Sequence, residues 1–247
     1  MIRSDGRRPD ELRPVTIEPG ALRFAEGSAL ISTGDTSVLC AVSVEDGVPM
    51  FARGTGSGWI TAEYGMLPRS TKTRTSRERS RTGGRTSEIQ RLIGRSLRSI
   101  AQLDLLGERT FIVDCDVTQA DGGTRTAAIT GAYVALAQAV QKLVEAGAIA
   151  TFPLRCAVAA TSAGVVEGMP LLDLNYEEDA AAEVDFNLVM TEEGELVEVQ
   201  GTGESHPFTR EAMDELLRLA EDGIRSLFQV QKDALARAGV ALPAPSS

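Results

Sequence analysis

Gly122-Gly123-Thr124-Arg125-Thr126 joins two segments of opposite character. Before it, Phe111 to Val117 reads as a strand. After it, Arg125 to Ala146 carries the clearest helical pattern in the chain. A glycine pair lets the backbone approach a ligand closely, and the free N–H groups opening the next helix favour an anion there. Thr124 adds a hydroxyl, and Arg125 a fork that matches phosphate oxygens. The stretch reads either as a phosphate site or as an ordinary strand-to-helix turn with Thr124 as N-cap. It matches neither the P-loop nor the dinucleotide fingerprint.

Composition narrows the choice. The hydrophobic content of 43% supports a sizeable core. No run of 18 apolar residues is present, so no membrane span is expected. Met1-Ile2-Arg3-Ser4-Asp5 has no apolar signal segment, and Cys40, Cys115 and Cys156 lie in apolar runs as small buried hydrophobes. A cytoplasmic protein is expected. The formal charge is −10, yet Arg69 to Arg98 holds ten Lys/Arg against only Glu78 and Glu88. A basic segment on an acidic body points to a localised polyanion site, or else to a solvated arginine loop.

Residues 1–14, with Asp5-Gly6-Arg7-Arg8-Pro9 and Leu12-Arg13-Pro14, read as an irregular arm with a turn. Alternation follows through Val15, Ile17, Leu22, Phe24, Ala29 and Ile31, and Ser37 to Val44 reads as a buried strand. Gly27-Ser28 and Gly34-Asp35 are expected as turns of a small antiparallel meander. Trp59 to Tyr64 is a further short strand. Arg69 to Gly84 has no apolar period and is expected to be mobile until an anion docks.

Ser87 to Gln90 has a capping-box pattern and is expected to open a helix striped by Ile89, Leu92, Ile93, Leu97 and Ile100. Arg91, Arg95 and Arg98 fall together on its other face, with Arg85 just before the cap. The helix after the glycine pair carries Ile129, Ala132, Tyr133, Leu136 and Val140, and stops at Gly147. Pro153 to Ala160, Gly164 to Val166 and Pro170 to Leu174 read as strands. Val184 to Met190 pairs with Leu196 to Gln200 across the Glu193-Gly194 turn, and a last helix runs from about Thr209 to Ala238. Strands then helix, twice over, predicts an α+β fold of two similar sheet-plus-helix halves rather than a doubly wound sheet. Residues 1–241 are expected to form one domain and 242–247 a disordered tail.

Asp173, Asp179 and Asp185 are spaced by six. On one straight strand the last two would lie about 20 Å apart. They meet only if the chain bends at Ala180-Ala181-Ala182. Meeting, they offer hard oxygen ligands to Mg²⁺ or Mn²⁺; otherwise they are a solvated acidic turn. His206, the only histidine, precedes Pro207 and reads as a structural corner.

Longer runs carry a resemblance. Gly58-Trp59-Ile60-Thr61-Ala62-Glu63-Tyr64-Gly65-Met66-Leu67-Pro68-Arg69, Glu88 to Arg95, Gln119 to Thr126 and Leu172 to Asp179 are similar to the signatures of the ribonuclease PH family. The likeness spans nearly the whole chain up to the last helix. It implies a fold like the second domain of ribosomal protein S5, shared with polynucleotide phosphorylase and the exosome core. The activity implied is a phosphate-dependent 3′-to-5′ exoribonuclease that trims tRNA precursors and releases nucleoside diphosphates, reversibly. A homohexamer, as a trimer of dimers, is implied too.

By position, Arg85 falls on the family's phosphate-binding arginine and Gly123, Thr124 and Arg125 on its phosphate-binding tripeptide. Asp179 and Asp185 fall on the catalytic pair that holds Mg²⁺ or Mn²⁺. Arg69, Arg74 and Arg77, with Arg91, fall on the region that grips RNA. Inorganic phosphate is implied as co-substrate and RNA 3′ ends as partners. The alternatives are a non-catalytic RNA-binding ring subunit of an exosome-like assembly, and a hydrolytic nuclease using the same acids with water.

Overall fold

The computed structural model describes residues 3–76 and 83–242. Arg77, singled out above, and all of the expected tail except Leu242 lie outside the described residues.

The expected meander forms from β1 (Val15–Pro19), β2 (Gly27–Thr33) and β3 (Thr36–Asp46). Period-two alternation sets its register: Ile17 pairs with Ile31 and Ile31 with Val38, all buried on one face. Gly34 makes the predicted turn, at φ 53°. Gly27 does not: it opens β2. Leu22 and Phe24 continue the alternation in sequence but lie in the bend between β1 and β2, with Phe24 91% exposed.

Two further strands, β4 (Trp59–Met66) and β5 (Arg109–Gln119), complete a sheet of order β1-β2-β3-β5-β4. β4 and β5 are parallel, so the chain must cross over between them. The crossover contains α1 (Gly84–Ser99), whose Ile89, Leu92, Ile93 and Leu97 are buried as the stripe predicted. α1 starts four residues earlier than the Ser87 capping box indicates. Its N-cap is Gly83, without a side-chain cap bond, so Arg85 lies inside the first turn. The three arginines of its outer face also part company. Arg95 pairs with Glu198 at 2.7 Å, and Arg98 donates to the Ile60 carbonyl at 2.7 Å while its guanidinium sits over Trp59. Arg91 stays exposed.

The second sheet is antiparallel, of order β7-β6-β8-β9: β6 (Val158–Val166), β7 (Met169–Leu172), β8 (Val184–Thr191) and β9 (Leu196–Gly203). β6 is one strand where the sequence reads as two. Between β7 and β8 lies α3 (Tyr176–Ala181). The long helices, α2 (Thr124–Glu145) and α4 (Arg210–Arg237), pack between the sheets. α2 touches β2 and β3 on one side and β6 on the other; α4 touches β6, β7 and β1.

This placement explains why α2 is buried almost all round, from Thr126 to Val140, and not only along its predicted stripe. Its other faces are alanine, glycine and threonine, which let both sheets close on the backbone. A Cβ on Gly131 would lie 2.7 Å from Ile31, and one on Gly27 would collide with the Ala135 carbonyl. Two side-chain amides inside donate to backbone: Gln138 to the Ser28 and Val134 carbonyls, and Gln231 of α4 to the Thr130 and Val158 carbonyls, while the Gln231 Oε1 is buried without a partner among the described residues. α2 is long and apolar enough to cross a membrane by length and composition, but 78% of its most apolar stretch is buried inside the molecule.

Gly27→Ala should therefore drive β2 off α2 and cost about 1–3 kcal/mol in denaturant unfolding, as an overpacked backbone contact does. An unchanged midpoint would show that the two elements can separate freely.

Candidate functional site

β5 delivers the chain to Asp121-Gly122-Gly123, where two successive glycines take φ 76° and 67°. Left-handed backbone of this kind is cheap only for glycine. Contact adds a second reason at Gly122, where a Cβ would lie 2.6 Å from the Leu174 carbonyl. Thr36 pins the turn from below: its hydroxyl donates to the Gly122 carbonyl at 2.7 Å and accepts from the Asp121 amide at 2.8 Å.

Gly123, not Thr124, is the N-cap of α2, and no side chain caps the helix. The first-turn N–H groups are thus left for another acceptor. Thr124 Oγ1 lies 2.8 Å from the Tyr64 hydroxyl of β4. Arg125 is held between two elements: it donates to Gln200 Oε1 of β9 at 2.9 Å and lies 3.5 Å from Glu88 of α1. Arg85 is exposed on the first turn of α1, and its charge reaches both the Tyr64 phenol and the Asp179 carboxyl.

The acids approach from the second sheet. α3 ends at Ala181, Ala182 is extended, and β8 begins at Val184. The bend that the spacing required is present, and Asp179 and Asp185 come close enough to repel each other. Both carboxyls are pushed above the ordinary range, chiefly by lost hydration. Arg85 and Arg125 pull Asp179 back down, while Asp179 and Glu204 push Asp185 further up. Asn187 donates to Asp185 Oδ1 at 3.1 Å.

Asp173 does not join them. It sits at φ 53°, buried, with its carboxylate taken by Arg13: the Arg13 amide and Nε donate to Oδ2 at 2.8 and 3.0 Å, and Nη2 donates to Oδ1 at 2.7 Å. His206 is exposed, and its ring lies 3.0 Å from the Ser205 hydroxyl.

The structure thus brings together Arg85, Gly123, Thr124, Arg125, Asp179 and Asp185. Arg69 and Arg74 are exposed in the segment after β4. The root of that segment is tied to the site, since the Ala120 amide donates to the Ser70 carbonyl at 2.8 Å and Lys72 pairs with Glu177 at 3.3 Å. Arg91, six residues beyond Arg85, points roughly 120° away round the helix.

Sequence reasoning missed Tyr64, Gln200 and Glu88 as parts of the site. Tyr64 alone carried a signal. It shares the inward phase of Ile60 and Ala62, and a tyrosine buried there needs a partner for its hydroxyl.

The two halves of this arrangement fall in two matched regions. Residues 11–141 match domain 1 of the 3′ exoribonuclease family, and residues 156–223 match domain 2. The chain belongs to the 3′ exoribonuclease family. Ribonuclease PH of Moorella thermoacetica is 60% identical over 237 residues, covering 95% of each chain. Ribonuclease PH of Dehalococcoides mccartyi is 57% identical over 94% of this chain and 97% of its own. Among solved structures, a chain of an Archaeoglobus fulgidus exosome with RNA bound to the active site superposes with a TM-score of 0.79 at 25% identity. That match covers 92% of this chain and 91% of the other. The glycine turn lies in the first matched region and the two aspartates in the second, so the cleft is built where the regions meet.

The raised carboxyls give a pH test. Both ionise less readily in the folded protein than in the unfolded chain, so their ionisation costs stability. That cost is absent below the ordinary carboxylate range and builds as pH rises through the raised values. In metal-free buffer, Asp185→Asn should melt about 2–4 °C above the parent near neutral pH and converge with it below about pH 4. A variant that melts lower at neutral pH would show that the pair is not a net cost.

Proposed function

We infer that the chain shortens RNA from its 3′ end with inorganic phosphate as the attacking group, releasing nucleoside diphosphates. One observation carries this reading: an uncapped helix N-terminus flanked by two arginines faces a pair of mutually repelling carboxylates. Water needs no such anion cradle; phosphate does.

Arg85, Arg125, the Thr124 hydroxyl and the Gly123-Thr124 backbone hold the phosphate and spread its charge over fixed donors. Its oxygen forms a bond to the last phosphorus of the RNA, and the bond from that phosphorus to the 3′ oxygen breaks. The nucleotide leaves as a 5′-diphosphate, and the shortened RNA takes up a proton at its new 3′ hydroxyl. Positioning and charge neutralisation supply most of the rate in such transfers.

Asp179 and Asp185 fit a hard divalent cation, Mg²⁺ or Mn²⁺, since two partly desolvated, like-charged carboxylates are stabilised by one. When bound, the ion offsets charge on the transferring group and the leaving oxygen. The same Asp185 carboxyl, raised as it is, is the alternative proton donor to that oxygen.

The basic segment rooted at Ser70 and Lys72 supplies backbone affinity through Arg69, Arg74 and Arg77, so RNA binding falls steeply with salt. The substrates assigned are tRNA precursors and other RNA 3′ ends. The assembly assigned is a homohexameric ring of three dimers, supported by the exposed apolar residues Phe24, Met50 and Phe51. The free thiols of Cys40, Cys115 and Cys156 support the cytoplasm.

The decisive assay incubates an RNA bearing a short 3′ extension with Mg²⁺, with and without phosphate, and identifies the released nucleotide. Diphosphates appearing only with phosphate are expected; monophosphates would mean attack by water, and binding without product a non-catalytic subunit. Arg125→Ala should lower phosphorolysis about 10²–10³-fold, the cost of removing one charge-stabilising donor, while RNA affinity stays unchanged. An equal loss of RNA affinity would refute this division of labour.

A further inference from the structure

We infer that Tyr64 is a positioning residue: its hydroxyl holds Thr124 so that the threonine proton points outward to the incoming phosphate. The inference rests on the phosphate reading of the glycine turn and adds to it a residue from another element.

Tyr64 lies on β4, the edge strand of the first sheet, with its ring turned inward and only 6% exposed. Its hydroxyl meets Thr124 Oγ1 at 2.8 Å, and Thr124 is its sole hydrogen-bond partner among the described residues. The nearby charges acting on the phenol include Arg85 and Arg125, and a guanidinium accepts nothing. Either hydroxyl can donate across this contact; the relay has the phenol donate, because Thr124 is the one acceptor bonded to it among the described residues. Burial raises the phenol and keeps it protonated against the pull of the two arginines.

A threonine hydroxyl has one proton and two lone pairs. Left alone at a helix start, it can spend that proton on a nearby backbone carbonyl. Thr126 does so here, donating to Gly123 at 2.9 Å. Thr124 is spared this because Tyr64 fills one of its lone pairs and fixes its rotamer. The remaining O–H is then free to donate to an anion resting on the helix N-terminus. The chain of donation runs from phenol to threonine to phosphate, and each step strengthens the next.

The test is a double-mutant cycle on phosphorolysis, with melting temperature followed in parallel. Tyr64→Phe keeps the ring and its packing and removes only the hydroxyl. It should raise the KM for phosphate about fivefold to tenfold, the loss of roughly one hydrogen bond, and leave the KM for RNA unchanged. Thr124→Val should raise the phosphate KM at least as much, and adding Tyr64→Phe to it should change nothing more. Thr124→Ser keeps the hydroxyl and should keep the sensitivity to Tyr64→Phe.

Effects that multiply in the double variant, or an unchanged phosphate KM in Tyr64→Phe, would overturn the relay. So would a Tyr64→Phe loss that tracks a fall in melting temperature and RNA affinity together, which is the mark of a structural residue. The parent enzyme separates the two levels: turnover without phosphate dependence sinks the phosphate reading itself, whereas a phosphate-dependent parent with an indifferent Tyr64→Phe sinks only the relay.

Discussion

One buried guanidinium joins the two halves of the cleft. Arg13, 4% exposed, gives three donors to Asp173, and its Nη1 and Nη2 donate also to the carbonyls of Asp121 and Gly122. A buried ion pair is stabilising only if its lone pairs and protons are otherwise satisfied. Here Asp173 accepts at both oxygens, and Arg13 spends its excess on the turn that precedes α2. The pair therefore works as a spacer of fixed length. It sets the turn bearing Thr124 and Arg125 against the segment that leads, six residues on, to Asp179. Losing either partner would leave an uncompensated charge in the interior, so the stability of the fold and the geometry of the cleft are not separable at this point.

The rest of the N-terminal arm repeats the device. Arg3 grips Glu178 with Nε and Nη2 at 2.8 and 2.7 Å, and donates also to the carbonyls of Leu172 and Asp173. Glu178 in turn closes the capping box of α3 on Asn175. An arm with no regular structure thus orients the helix that carries Asp179. On the far side, α2 runs between both sheets with its N-terminus opening at their seam. Small residues make that burial possible, and burial on two sides fixes the direction in which the uncapped N–H groups point. The cleft needs both: a helix locked from the sides and an acidic segment clasped from behind.

What was legible in the sequence is what local periodicity and local chemistry encode. Ile17, Ile31 and Val38 alternate because one face of a strand is buried. Ile89 to Leu97 repeats at helical spacing because one side of α1 is. The glycine pair declares its backbone without any partner. Where two local signals competed, the reading went astray. Ser87 to Gln90 looks like a helix start, yet the helix begins at Gly84 with glycine as its cap. Leu22 and Phe24 keep a strand's alternation, yet Gly20 at φ 74° and the packing of Gly27 on α2 turn that stretch into a bend. The long-range pairs were illegible for a plainer reason. Arg13 and Asp173 are 160 residues apart, and Arg125 and Gln200 are 75 apart. Nothing in either neighbourhood names the other. The meeting of Asp179 with Asp185 was foreseen only as a condition, because three alanines permit a bend without requiring it.

Charge explains why the cleft tolerates so much unpaired chemistry. Its two acids lose hydration and repel each other, and its two arginines oppose that cost from the other side. Arg125 is at the same time restrained by Gln200 and Glu88, neither of which encloses it. In this balance every group is partly satisfied and none fully. An anion arriving at the proposed site competes there with the 2.9 Å Gln200 bond and with a 3.5 Å contact to Glu88, a pair with one partner half exposed. Exposed pairs of that kind are weak, so the arginine can change partners at little cost. The strong, saturated bonds of the molecule, Arg13 to Asp173 and Arg3 to Glu178, lie one layer behind. The fold puts its rigidity in that layer and leaves the weak, exchangeable contacts at the surface of the cleft, where a substrate must replace them.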